Sequence, residues 1–114
     1  MIVFIIVFVF IAFDVITGIT EALYKGGINS TKLRQGLYHK LSEILCVLGA
    51  YLLELGLDYI DLGINLHLLN VVSVYICTME LVSIIENLCE VNPNLEKLFK
   101  PYLEKLRGRD KDDE

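Results

Sequence analysis

The chain has 114 residues, of which 54% are hydrophobic and none is Trp, and its formal net charge is −5. That length allows one small unit, and the apolar share is too high for a typical soluble domain, so it indicates a small membrane protein. Charges lie between apolar stretches and at the C-terminal end, and the absence of a basic run argues against nucleic acid as a partner.

Met1 to Phe13 carries no polar side chain, and the apolar character persists to Leu23 and Tyr24. Roughly 20 apolar residues suffice for a helix to cross a bilayer, so the first helix is expected over 2–24. No Lys or Arg precedes the run and no A-x-A follows it, so cleavage as a signal peptide is not expected. Asp14 falls past the middle, where a charge costs about 2.5–3.5 kcal/mol on insertion scales. Asp14, Thr17, Gly18 and Glu21 recur at i, i+3, i+4, i+7 and share one face. Small and polar residues on one face of a membrane helix let another helix approach and hydrogen-bond. The stripe reads as a helix–helix seam, or as a seam that becomes wetted.

Gly26-Gly27 and Asn29-Ser30-Thr31 break the helix, and Ser30 or Thr31 is positioned to cap the next one. Lys25, Lys32, Arg34 and Lys40 are the basic residues of this region, which the positive-inside rule places on the cytoplasmic side. A second helix is expected over 37–57, with Lys40 pairing with Glu43 three residues on or snorkelling to the interface. Its continuous apolar core, Ile44 to Leu53, is short. The helix either crosses the bilayer shielded by its neighbours or lies in the interface. Asp58 to Gly63, including Asp61, is an acidic connector without Lys or Arg, which suits the outer side.

A third helix is expected over 64–87. Asn70, Ser73, Cys77, Glu80 and Asn87 recur at steps of three, four, three and seven, with Ser83 beside them, opposite Leu68, Val71, Val74, Leu81 and Ile85. His67 near the outer end reads as an interfacial residue. Cys46, Cys77 and Cys89 are odd in number and within or beside apolar stretches, so they read as small apolar residues, without zinc spacing. Asn92 is a good N-cap and Pro93 a good first helical residue. Over 92–106, Leu95, Leu98, Phe99, Tyr102, Leu103 and Leu106 form an apolar stripe that docks the helix on the membrane or on a partner helix. Pro101 is expected to kink it. Residues 107–114 are too polar to pack and are expected to be disordered.

The resulting expectation is an all-α membrane protein. Residues 1–91 form a transmembrane domain with three spans, followed by an amphipathic cytoplasmic helix. The N-terminus lies outside and the C-terminus in the cytoplasm, and every basic residue falls on the inner side. No nucleophile elbow, phosphate-binding glycine loop or HExxH is present, so neither catalysis nor a cofactor is expected. Membrane carboxylates such as Asp14, Glu21, Glu80 and Glu86 are more often packing, proton-relay or pore residues.

Three blocks, in order, resemble the phage-lysis and toxin-secretion holin family of bacteria and their phages. They are Asp14-Val-Ile-Thr17-Gly18 with Glu21-Ala22 and Lys25-Gly26; Ser30-Thr-Lys32 with Gly36-Leu37 and Lys40; and Glu80-Leu-Val-Ser83-Ile-Ile-Glu86-Asn87 followed by Pro93. Together they span Asp14 to about Leu106. The resemblance implies a protein that accumulates in the bacterial cytoplasmic membrane, homo-oligomerises and opens holes through which an endolysin or a protein toxin leaves, with no cofactor. Direct binding of that cargo is not implied. It assigns Asp14, Thr17, Gly18, Glu80, Ser83, Glu86 and Asn87 to assembly. Asp14 and Glu80 are expected to contribute most, neutral or hydrogen-bonded when buried and ionised when wetted. The competing readings are a small ion or proton channel and a non-lytic regulator of another holin.

Overall fold

The computed structural model describes residues 2–60, 63, 64 and 66–106, all helix or short connection. Its four helices are α1 (Ile2–Tyr24), α2 (Ser30–Tyr59), α3 (Leu68–Val91) and α4 (Pro93–Leu106).

Glycine ends α1. The amide of Gly27 donates to the carbonyl of Ala22 at 2.9 Å and that of Gly26 to Leu23 at 3.3 Å, the paired closure of a Schellman turn. Gly26 and Gly27 take φ of 124° and 145°, values that side-chain-bearing residues rarely adopt. α2 then starts at Ser30 rather than Leu37, because Asn29, not Ser30 or Thr31, is its cap. The Asn29 side chain accepts from the amides of Thr31 at 2.9 Å and Lys32 at 3.2 Å. The expected third helix over 64–87 is shifted to Leu68–Val91. Its second amide, of Leu69, donates to the Glu54 carboxylate of α2. A negative group there satisfies an orphan donor and complements the positive end of the helix dipole. α4 begins at Pro93, and the Asn92 side chain accepts from the Asn94 amide at 3.1 Å. It continues through Pro101. Asp61 of the connector and the tail 107–114 lie outside the described residues.

α3 is the centre of the bundle. It packs against α1, α2 and α4, most extensively against α1, whereas α1 and α2 touch only slightly. Two apolar clusters lie along it. Val7, Ile11, Val47 and Ile76 join α1, α2 and α3; Val82, Ile85, Cys89 and Leu103 join α3 to α4. From Val7 to Thr17 on α1 the neighbours advance from Ile76 to Asn87 on α3, so these helices are parallel, and α2 runs antiparallel to both. Burial of Leu103 against the last turns of α3 shows that α4 folds back along it. The expected stripe on α4 is therefore divided. Leu95, Phe99 and Leu103 face α3, while Leu98, Tyr102 and Leu106 are exposed.

The outer surface is strongly apolar. Ile2, Ile5, Phe8, Val9, Phe13 and Ile16 on α1 are each at least half exposed. Leu37, Leu41, Leu45, Leu48, Leu52 and Leu55 form an exposed stripe on α2, and Val71, Val74 and Tyr75 one on α3. Contiguous apolar surface on this scale marks contact with lipid or protein rather than water. Among the described residues, α1 and α3 are the helices long and apolar enough to cross a membrane.

Candidate functional site

The polar side chains of α1 and α3 converge on one lysine from α2. Asp14 lies twelve residues beyond Ile2 and Glu80 twelve beyond Leu68, so both sit about 18 Å along parallel helices. The Lys40 ammonium donates to Asp14 Oδ2, and to Glu80 Oε1 at 2.7 Å and Oε2 at 3.0 Å. The side chains of Asp14, Glu80 and Lys40 are 5%, 3% and 15% exposed. Asn87 Nδ2 donates to Asp14 Oδ1 and to Thr17 Oγ1, both at 3.0 Å. The Thr17 hydroxyl donates to the Asp14 carbonyl at 3.0 Å. Gly18 borders this corner, and a Cβ there would lie 3.6 Å from Asn87 Nδ2, an ordinary contact. A buried charge is tolerated only when paired and hydrogen-bonded, and both Asp14 oxygens have donors here.

Lys40 therefore does not pair with Glu43 but stands between the Asp14 and Glu80 carboxylates, which it brings close together. Lys40 shares the inner face of α2 with Ile44 and Val47, at steps of four and three. A lysine on the apolar face that packs inward, in a chain with two carboxyls at membrane depth elsewhere, is the signal that points to this pairing. Glu43 instead lies 3.7 Å from His39 Nε2 through one oxygen; its other oxygen is buried without a donor, and the carboxyl borders the cluster beside Glu80.

The remaining expected residues are dispersed. Glu21 pairs with Lys25 at 3.0 Å, and Lys25 also pairs with Glu90 at 2.7 Å, tying the end of α1 to the end of α3. These two carboxylates push the Lys25 ammonium above its ordinary value, hydrogen bonding to Glu90 being the largest cause. Ser73 is buried with its hydroxyl unpartnered. Asn70 is exposed, so it is apart from the buried polar group. Ile85, expected on the opposite face, is buried in the α3–α4 cluster. Glu86 is half-buried, and Lys32 and Arg34 are exposed.

Where α1 and α2 diverge, a cleft of about 530 Å³ runs from Asp14, Lys40, Ser83 and Asn87 down to Lys25, Asn29 and Lys32 at the helix ends. The site can hold charge inside an apolar shell and expose it to water along this cleft. Among the described residues there is no cluster of His, Cys, Asp and Glu able to hold a metal ion.

No curated protein and no solved structure matches the chain. The family model of the bacteriophage holins matches residues 1–108, which covers all four helices and the Lys40-centred ion cluster, and the chain belongs to the bacteriophage holin family.

Proposed function

We propose that this holin inserts in the bacterial cytoplasmic membrane through three helices, assembles with copies of itself, and opens holes that let an endolysin or a protein toxin leave the cell. The observation that carries the reading is the inverted distribution of polarity: an ion cluster at the centre and apolar side chains outside. α2 is the less apolar helix, but its exposed leucines from Leu37 to Leu55 extend eighteen residues, about 27 Å of helix. That matches a hydrocarbon core of about 30 Å, and supports a third span. The basic residues of the α1–α2 connection favour a cytoplasmic position for it, hence an external N-terminus.

Opening requires the subunit to turn polar surface toward water or a neighbour. The Asp14–Lys40–Glu80 contacts satisfy that surface within one subunit, and the same groups are available to satisfy each other between subunits or to line a wetted wall. Neutral polar contacts between membrane helices average only about 0.6 kcal/mol, so repetition around an assembly is what makes it stable. The test is expression in a bacterium with size-graded release. Escape of folded protein is expected; escape of ions alone means a small channel, and no permeabilisation means a regulator. Asp14→Ala and Glu80→Ala are expected to shift or abolish the onset of lysis at matched protein levels, and unchanged timing rejects their role.

A further inference from the structure

The α1–α2 cleft has the depth, lining and charge of a lipid site. Its floor is the ion cluster and its rim lies at Lys25, eleven residues beyond Asp14, which is about 16 Å of helix. Ile19 of α1 and Leu33 and Leu37 of α2 supply apolar walls, and both leucines are also open to the outside. Three ammonium groups, Lys25, Lys32 and Lys40, line it with two carboxylates, Asp14 and Glu21. Lys40 is committed to Asp14 and Glu80, and Lys25 to Glu21 and Glu90. Lys32 has no carboxylate partner among the described residues and stands at the first turn of α2, beside the positive end of the helix dipole.

We propose that this cleft binds one anionic phospholipid from the leaflet on the basic-loop side, with its phosphate at Lys32 and an acyl chain between Ile19 and Leu37. Basic pockets between membrane helices on that side are suited to anionic headgroups. A free anion would satisfy Lys32 but leave the apolar walls wet. A zwitterionic lipid would fill the walls but bring a trimethylammonium group next to Lys25 and Lys32. An anionic lipid satisfies both parts of the cleft. It would also wedge α1 from α2, and so hold apart two helices that touch only slightly.

The site rests on the bilayer reading above, and one experiment separates the two. The chain lacks Trp, so single-Trp variants of the full-length protein report locally. Leu33→Trp, with Ile28→Trp as a second reporter, places the probe in the cleft; Ile16→Trp places it on the outward face of α1. Each is reconstituted in phosphatidylcholine vesicles containing equal mole fractions of brominated phosphatidylglycerol or brominated phosphatidylcholine. Ile16→Trp is expected to be quenched equally by both lipids. The cleft reporters are expected to prefer phosphatidylglycerol about fivefold, the effect of one ammonium near anionic lipid. Lys32→Gln should remove that preference, and Arg34→Gln, outside the cleft, should leave it. Equal quenching by both lipids at the cleft reporters overturns the site, as does an equal loss with Arg34→Gln. Displacement by inorganic phosphate would make a free anion the ligand and overturn it too. Absence of quenching at Ile16→Trp would defeat the bilayer reading, and the lipid site with it.

Discussion

Lys40→Met tests whether the ion cluster holds the bundle together. It removes the one ammonium that serves both Asp14 and Glu80 and keeps much of the side-chain volume. Exposed ion pairs contribute about 0.2–1 kcal/mol, but these carboxylates are 5% and 3% exposed. Breaking a buried pair by removing one partner costs about 3–5 kcal/mol, because the remaining charge is left uncompensated. Asp14 keeps its bond from Asn87, whereas both Glu80 bonds from Lys40 disappear. A loss of about 3 kcal/mol is therefore expected. Replacing all three groups, as Asp14→Leu, Lys40→Met and Glu80→Leu together, removes the desolvation cost along with the attraction and should be near neutral. The assay is reversible unfolding of the full chain in mixed micelles, read by helical circular dichroism against the fraction of denaturing detergent. A Lys40→Met loss below about 0.5 kcal/mol, the range of ordinary surface changes, would refute the argument. So would a triple variant whose loss equals the sum of the singles, because residues in one network should couple. A stable triple variant is further expected not to lyse cells, which separates the stability of the subunit from the opening of the hole.

Gly18→Ala should be tolerated, since its Cβ meets Asn87 at ordinary contact distance and Ala favours helix over Gly by about 1 kcal/mol; Asn87→Leu, which removes donors to Asp14 and Thr17, should cost about 1–3 kcal/mol. The same unfolding assay ranks the two, and a larger loss for Gly18→Ala contradicts the room for a methyl group beside Asn87. Leu103→Ala empties the α3–α4 cluster at about 2–5 kcal/mol. It should accelerate maleimide labelling of Cys89, 8% exposed beneath α4, in a Cys46→Ser, Cys77→Ser background; an unchanged rate would mean that α4 does not cover it. For Lys25, the folded ammonium titrates above its ordinary value of 10.5. Its stabilisation is complete below that value and is lost as pH rises through the raised one. Wild type and Lys25→Met should thus differ in thermal stability near neutral pH and converge in strong alkali, with a smaller difference at high salt.

The sequence by itself determines the helices and their punctuation. A fully apolar stretch to Phe13, a largely apolar continuation to Tyr24 and then Lys25-Gly26-Gly27 dictate α1 and its stop, and Asn92-Pro93 dictates the start of α4, because capping and glycine conformations are local. The Asp14, Thr17, Gly18 stripe is legible for the same reason: helical period alone puts those residues on one face. The tertiary structure decides which faces meet. Lys40 reads locally as an interfacial or topological lysine, and only the antiparallel placement of α2 beside Asp14 and Glu80 makes it the centre of the site. Ile85 and Asn70 exchange their expected surroundings, and the α4 stripe divides into a packed half and an exposed half. In a bundle that is apolar both inside and out, hydrophobic periodicity does not distinguish a side chain facing lipid from one facing another helix. That distinction is set by contacts between residues far apart in the chain.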